Sequence, residues 1–182
     1  MMKKEIILSN GIILKEDFKS KSKSFYLLNP YQKIDKIITK FLLKYSSENN
    51  TCDLRVCIHE SPKSKHHDMY ILHHKKNYYI PHAHKDCGDS YVVLNGELGC
   101  FLFDKNGEVT YSCSLKKGEM FKVPSMEYHT ILPISNKVLF LEMRNGPYVR
   151  KKTKVPNWCP DSNSSSVEIE RYKKKLLKYL SN

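Results

Sequence analysis

Short runs of apolar residues, interrupted by polar ones, follow one another through the middle of the chain. Runs of this length in regular succession are typical of β-strands in a sandwich or barrel. Nine of them lie between residues 54 and 143: LRVCIH, MYILHH, YYIPHAH, SYVVLNG, LGCFLFD, EVTYSCSL, MFKVP, YHTILPI and KVLFLEM. We therefore predict a mainly β domain.

Two amphipathic helices are predicted on either side of these runs, because apolar residues recur there at intervals of three and four. The first runs from Pro30 to Tyr45 and presents Ile34, Ile37, Ile38, Phe41, Leu42 and Tyr45. The second lies within residues 167–180 and presents Ile169, Tyr172, Leu176, Leu177 and Leu180. These patterns divide the chain into an N-terminal extension at 1–50, a barrel at 51–150 and a C-terminal tail at 151–182.

Tight turns are predicted at two Asn-Gly pairs. Asn95-Gly96 and Asn106-Gly107 each separate two strand-like runs. Asn-Gly favours two-residue turns because both residues tolerate positive φ. We predict a β-hairpin at each pair.

The chain is basic, with 31 Lys and Arg against 19 Asp and Glu and a formal charge of +12. Such a charge suits a nucleic acid, an anionic membrane or an acidic small molecule. Most of the excess is lysine, and the arginines that would clamp phosphates or bases are few. We predict no nucleic-acid partner.

The N-terminal segment does not resemble a signal peptide, because its apolar runs are short and are interrupted by Ser9, Asn10 and Gly11. No stretch reaches the roughly 18 apolar residues of a membrane span. We therefore expect a cytoplasmic protein without a membrane span. In that compartment the six cysteines are expected to remain thiols.

Three histidines form the strongest candidate site. His82 and His84 are two residues apart on a predicted strand, so both rings leave the same face. His129 begins a later β run, where a distant strand of a jelly roll can return beside the first pair. The carboxylate of Asp89 would complete a set of three nitrogens and one oxygen. Such a set suits a divalent transition metal (Fe, Mn, Ni, Co, Cu or Zn) without selecting one, although an isolated H-x-H is more often a surface pair.

The two histidine segments resemble the paired motifs of the cupin superfamily. The first motif is H-x-H, three or four residues, Glu, six residues and Gly; His82, His84, Asp89 and Gly96 have this spacing, with Asp replacing Glu. The second is Gly, five residues, Pro, x, Gly, two residues, His, three residues and Asn. Gly118, Pro124 and His129 fit it, whereas Met126 and Pro133 replace its second Gly and its Asn. The resemblance implies a cupin-type double-stranded β-helix, and the shorter Asp89 leaves direct ligation open.

Within the cupins, the chain is most similar to the WbuC family of cupin-fold metalloproteins. The segments that carry this likeness are RVCIHESP, HHDMYIL, YYIPHAH, FLEMRNGPY and PNWCP. The resemblance implies a role in surface-polysaccharide biosynthesis, including O-antigen, lipopolysaccharide or capsule. It also implies a homodimer, but no defined reaction.

Five further residues are candidates for substrate contacts or proton transfer. Arg55, Arg144 and Tyr148 could bind an anionic sugar derivative, although ordinary salt bridges also explain the arginines. Glu142 could serve as a general base if it faces the pocket, or pair with Arg55 or Lys137. Tyr128 could form a pocket wall or carry a proton. The remaining histidines are predicted to be mostly surface or loop groups and not metal ligands: His59, His66, His67, His73 and His74.

Three functions are compatible with these residues. The first is metal-assisted proton transfer on a sugar or nucleotide-sugar precursor, of the isomerase or epimerase type. The second is oxygen-dependent chemistry at Fe(II). The third is a metal-dependent binding or regulatory barrel without turnover. A general base in the pocket would favour an enzyme, and a purely apolar pocket would favour the binding protein.

Overall fold

A computed structural model describes residues 5–18, 20, 22–29, 33–50 and 52–180. Two sheets of eight and three strands and a short two-strand ladder form the β structure of these residues. The strands are β1 (Glu5–Ile7), β2 (Ile13–Glu16), β3 (Lys23–Leu27), β4 (Leu54–Cys57), β5 (His66–His74), β6 (Ala83–His84), β7 (Asp89–Asn95), β8 (Leu98–Phe103), β9 (Val109–Leu115), β10 (Met120–Lys122), β11 (Tyr128–Pro133), β12 (Lys137–Asn145) and β13 (Thr153–Lys154). The predicted mainly β fold is confirmed, and the two sheets are consistent with the predicted jelly roll.

The strand order explains how distant segments meet. The larger sheet has the order β1-β2-β3-β4-β5-β12-β7-β10, and the smaller sheet has the order β11-β8-β9. The ladder pairs β13 with β6. An isolated bridge between His82 and His129 connects the segment before β6 to β11.

The inward face of the larger sheet changes from charged to apolar along its strands. Three rows cross β5, β12 and β7: His67, Arg144 and Asp89 in the first, Met69, Glu142 and Tyr91 in the second, and Ile71, Phe140 and Val93 in the third. Because successive inward positions are two residues apart, each of the three strands contributes one residue to each row. The third row belongs to the buried core between the sheets, and the first row lies beside the candidate site.

A helix covers the outer face of each sheet. Helix α1 (Lys36–Glu48) begins at the N-cap Asp35 and buries Ile38 and Leu42 against the larger sheet. Helix α2 (Ser166–Lys178) packs Leu176 against the smaller sheet. A capping box fixes its start, because the side chains of Ser165 and Glu168 each bond the other's backbone N–H. Both predicted helices are present; the predicted start of the first at Pro30 lies outside the described residues.

The N-terminal region contributes more than the predicted helix. Its strands β1, β2 and β3 extend the larger sheet, and β3 pairs in parallel with β4. The sequence analysis did not predict these strands. Their apolar runs are short, and the parallel pairing depends on a partner some thirty residues away, which no local pattern reveals.

Only one of the two predicted Asn-Gly hairpins is present. Asn106-Gly107 joins the paired strands β8 and β9, as predicted. The prediction for Asn95-Gly96 is wrong, because this turn connects β7 of the larger sheet to β8 of the smaller one. Gly96 and Gly107 have φ values of 88° and 90°. Both glycines thus adopt the left-handed conformation, but the connection after β7 spans residues 96–97 and that after β8 spans residues 104–108.

Candidate metal centre

Four side chains from separate segments converge at one end of the barrel. His84 lies in β6, Asp89 begins β7, and His129 lies in β11, where its backbone bridges His82. One ligand atom from each of the four lies within 4.8 Å of the others. Asp89, His84 and His129 are buried, and His82 is half-buried. The structure thus brings together the four residues predicted as metal ligands.

The strand predicted to carry both His82 and His84 is shorter than expected. Only Ala83 and His84 form a ladder, and His82 makes an isolated bridge. Pro81, which precedes His82, has no N–H to donate to a ladder. The two imidazole rings nevertheless lie 4.8 Å apart between centroids.

Backbone carbonyls orient two of the three imidazoles. Nδ1 of His82 lies 2.9 Å from the carbonyl oxygen of Ile80, and Nδ1 of His129 lies 3.0 Å from that of Glu127. A carbonyl can only accept, so each Nδ1 carries the proton. The lone pair of each Nε2 is then available to the cluster. A carbonyl that fixes the tautomer in this way is the usual partner of a metal-binding histidine.

The third imidazole has different neighbours. Nδ1 of His84 lies 3.2 Å from Oγ1 of Thr153, in the strand paired with β6. Its Nε2 lies 3.1 Å from Nη1 of Arg144 and 3.3 Å from Oδ2 of Asp89. Sequence reasoning missed Thr153, because no motif marks it and only the β6–β13 ladder brings it here.

The Asp89 carboxylate completes a donor set that suits a cation. Its Oδ2 lies 3.0 Å from Nε2 of His129. Its Oδ1 is buried and has no hydrogen-bond partner among the described residues. Because the carboxylate and the Nε2 lone pairs of His82 and His129 are all acceptors, a shared cation satisfies them together. The residues present therefore fit a divalent transition metal held by three nitrogens and one oxygen.

Electrostatics keep Asp89 ionised despite its burial. Burial alone would raise its pKa, but the close imidazoles of His129 and His84 and the charge of Arg144 hold the pKa well below the ordinary range. Nε of Arg144 lies 3.8 Å from Oδ1. A carboxylate that stays charged in a buried site remains available as a ligand.

A cavity with two adjoining compartments opens beside the cluster. The metal-side compartment, of about 370 Å³, includes His82 and His84 in its wall. The far compartment, of about 450 Å³, includes His59 and His67. Both compartments share five lining residues: Ser22, Arg55, Glu142, Arg144 and Tyr148. The four residues predicted as substrate contacts or general base, Arg55, Glu142, Arg144 and Tyr148, thus share one cavity.

Glu142 is a half-buried carboxyl group with no hydrogen-bond or ion-pair partner among the described residues. No hydrogen bond or ion pair joins it to Arg55 or Lys137 in the described part of the chain. Burial, followed by the negative charge of Asp89, raises the pKa of Glu142 to about 7. Such a carboxyl group can accept or release a proton near neutral pH.

Tyr128 lies outside this cavity. It precedes His129 in β11, so its side chain points to the other face of the smaller sheet. There its ring contacts that of Trp158 at 5.9 Å between centroids, within the cluster that anchors α2. The structure does not bring Tyr128 to the site.

The histidines predicted as mostly surface groups are largely inside the protein. Of the five, only His66 is exposed; His67 and His74 are buried, and His59 and His73 are half-buried. The prediction of surface or loop positions is therefore wrong for His67, His73 and His74, which are covered in β5, whereas His59 does lie in a loop. His73 and His74 are adjacent in β5, so their side chains point to opposite faces of the sheet, as predicted. The barrel interior covers one face and α1 covers the other.

His73 gives the protein an acid-sensitive stability. Its ring stacks on that of Tyr79 at 4.0 Å, and burial lowers its pKa to about 4. An unfolded histidine has a pKa near 6.5. Between that pH and about 4 the residue is therefore protonated in the unfolded chain and neutral in the folded chain. Stability is then fully present above pH 6.5 and falls as the pH drops towards 4.

We expect His73→Phe, which keeps the stacking ring, to reduce this loss. A difference of about 2.5 pKa units corresponds to about 3 kcal/mol. Urea unfolding at pH 7.5 and pH 4.5 should show a smaller drop in unfolding free energy for the variant. Identical drops in both proteins would show that His73 titrates normally in the fold.

One comparison with known protein families matches the part of the chain that carries three of the four candidate ligands. A family model described as a domain of unknown function, DUF6016, matches residues 42–115. The matched segment contains His82, His84 and Asp89, and His129 lies beyond it. No curated protein gives a significant match.

Several solved structures are similar in fold. A mutant of oxalate decarboxylase from Bacillus subtilis aligns at a TM-score of 0.47 with 17% identity, covering 57% of this chain and 27% of that one. KdgF from Halomonas sp. aligns at 0.43 with 17% identity, covering 54% and 82%. A cupin-2 domain containing protein from Shewanella frigidimarina aligns at 0.40 with 17% identity, covering 50% and 78%. The chain thus spans about a quarter of the oxalate decarboxylase chain.

The barrel thus carries a histidine–aspartate cluster that could hold a metal ion. Among the residues that the structure describes, neither helix has the length and apolar character that crossing a membrane requires.

Proposed function

We propose that this chain is a metal-dependent enzyme that moves a proton on an anionic sugar or nucleotide-sugar precursor of a surface polysaccharide. The reaction would be an isomerisation or epimerisation. The polysaccharide role and the WbuC family assignment come from the sequence resemblance, as does a homodimeric state. We also propose that the protein acts in the cytoplasm, where such precursors are assembled.

The observation that carries this proposal is the position of Glu142. This carboxyl group lines the same compartment as His82 and His84, it has no direct partner among the described residues, and its pKa is raised to about 7. A group poised between its protonated and ionised forms at neutral pH suits a general base that later returns the proton. A purely binding barrel does not need such a group.

The residues around the cavity suggest how the reaction would proceed. A divalent metal held by the cluster would polarise a carbonyl or hydroxyl oxygen of the sugar. A carboxylate oxygen of Glu142 would take a proton from the neighbouring carbon. The guanidinium groups of Arg55 and Arg144 would hold the anionic part of the substrate. Return of the proton from Glu142 to the adjacent carbon completes an isomerisation with no net change in atoms, whereas an epimerisation would need a water molecule or a second group to deliver a proton to the opposite face of the same carbon.

Hydrogen exchange tests this proposal before the product is known. In D₂O, the wild-type protein should exchange a carbon-bound proton of at least one member of a panel of sugar phosphates and nucleotide sugars, followed by NMR. Glu142→Gln should slow the exchange by about a hundredfold or more, as expected when a general base is lost. Its metal content should be unchanged, because Glu142 is outside the ligand cluster.

The matched control is Glu108→Gln, which removes an exposed carboxylate at the β8–β9 hairpin. It should exchange at the wild-type rate. Exchange at the wild-type rate in Glu142→Gln would remove the assigned base. The absence of exchange with every sugar in the panel would favour the non-catalytic barrel.

A further inference from the structure

Two guanidinium groups line the far compartment, and no ion pair joins that of Arg55 to a carboxylate among the residues that the structure describes. Arg55 donates from Nε to Oγ of Ser24 at 2.8 Å and from Nη2 to Oγ of Ser20 at 3.1 Å. Both partners are neutral hydroxyl groups, so they hold the guanidinium in place and leave its charge intact. Nη1 makes no hydrogen bond to the described residues and remains available to a ligand.

Arg144 brings a second guanidinium to the same wall. Its Cζ lies 5.5 Å from the centroid of the Tyr148 ring. Its Nε is buried and has no hydrogen-bond partner among the described residues. Asp89, at 3.8 Å, offsets part of the charge of Arg144. A cation bound at the cluster would coordinate that carboxylate and reduce this offset. Arg55 and Arg144 come from β4 and β12, on either side of β5, and their side chains share the inward face of the larger sheet.

The other titratable groups in this wall are consistent with a positive potential. Burial, then the charge of His67, lowers the pKa of His59 to about 4, and Arg55 and Arg144 add to the lowering. Burial and the charge of Arg144 also lower the pKa of His67. Two acidic groups face the compartment, Asp17 and Glu142, and the raised pKa of Glu142 makes it a weak counter-charge at neutral pH.

The compartment is also well formed before any ligand binds. The backbone N–H of Tyr148 donates to the carbonyl of Pro62 at 2.9 Å, and that of Gly146 donates to the carbonyl of Lys65 at 2.8 Å. These bonds join the segment after β12 to the turn before β5. The rings of His59 and His67 stack in parallel at 4.1 Å between centroids and stiffen the wall.

We propose that the far compartment is a phosphate subsite, with Arg55 and Arg144 as its charged contacts. This inference rests on the proposed function and narrows its substrate to a phosphorylated sugar, whose ring would occupy the metal-side compartment. A phosphate group is favoured over a carboxylate because donors surround the space: two guanidinium groups from different strands and the hydroxyl of Ser22. A tetrahedral dianion can use donors from several directions, whereas one planar fork is enough for a carboxylate.

Binding of inorganic phosphate tests the subsite without any turnover. The purified, metal-containing protein is titrated with phosphate, and separately with acetate, while its Tm is followed; ligand binding to the folded state raises Tm. Phosphate should bind more tightly than acetate. Arg55→Gln should weaken apparent phosphate affinity by about tenfold or more, the usual effect of losing a charged hydrogen bond.

Two further variants keep the test sharp. Arg55→Lys retains the charge but loses the fork, so it should weaken phosphate binding less than Arg55→Gln, and it covers the case in which Arg55→Gln folds poorly. Lys137→Gln removes one exposed charge at the far end of β12 and should leave phosphate affinity unchanged. Metal content should stay at the wild-type value in all three.

Three results would overturn the subsite. They are wild-type phosphate affinity in Arg55→Gln, acetate binding as tight as phosphate binding, or phosphate binding that depends on the histidine cluster and not on Arg55. Each would leave the proton-transfer proposal standing. If phosphate bound as expected but Glu142→Gln exchanged at the wild-type rate, the proton-transfer proposal would fail and the phosphate subsite would stand.

Discussion

Replacing both His82 and His129 by Ala is expected to abolish tight binding of a divalent transition metal. Four-ligand sites of this kind hold structural Zn²⁺ with roughly 10–16 kcal/mol, so the loss of two ligands should weaken binding by at least about a thousandfold. The barrel should remain folded, because its core clusters do not include either histidine. Calorimetric titration with Zn²⁺ or Ni²⁺ measures the first effect and circular dichroism the second.

The matched control replaces a histidine that lies outside the cluster. His66 is exposed in β5, so His66→Ala removes an imidazole of the kind that binds metals weakly on protein surfaces. Its tight site should titrate as in the wild type. Retention of a tight site in the double variant would show that other residues hold the metal.

Gly88→Ala is expected to destabilise the fold by about 3 kcal/mol or more, as severe overpacking does. A Cβ at this position would lie 2.0 Å from the carbonyl oxygen of Val123, and backbone atoms cannot move aside cheaply. The clash also displaces Asp89, whose own carbonyl accepts the N–H of Val123 at 2.7 Å. We therefore expect metal affinity to fall together with stability.

Gly118→Ala separates this clash from backbone strain. Gly118 has a φ of +87° but open space around the Cβ position. The substitution should cost only about 1 kcal/mol, the usual penalty of a left-handed conformation, and leave metal affinity unchanged. Urea unfolding of both variants gives the comparison. Equal losses of stability would mean that the segments carrying Gly88 and Val123 do not approach as closely as described.

The sequence predicted the metal cluster because its signals are local. His82, His84 and Asp89 lie within eight residues, and His129 has its own turn and strand pattern. The inward orientation of Glu142 and Arg144 could also have been inferred from the alternation of side chains along a strand, because both are an even number of residues from the core residue Phe140. Met126 adopts a φ of 70°, in agreement with the Gly expected there in the cupin motif.

The features that the sequence did not reveal depend on contacts between distant segments. The parallel pairing of β3 with β4 adds the N-terminal strands to the sheet. The turn at Asn95-Gly96 changes sheets because β7 pairs with β12 and β10 rather than with β8. The burial of His59 and His67 arises from contacts with each other, of His59 with Tyr26, and of His67 with Gly146 after β12. None of these partners is specified by the pattern of a single segment.

The central claim is that His82, His84, Asp89 and His129 hold a metal ion. Elemental analysis of untagged protein, beside His84→Ala purified in the same way, tests it most directly. We predict close to one equivalent of a single transition metal per chain in the wild type, and a large loss in the variant. Equal metal content in both proteins, or no metal in either after purification and reconstitution, would contradict it.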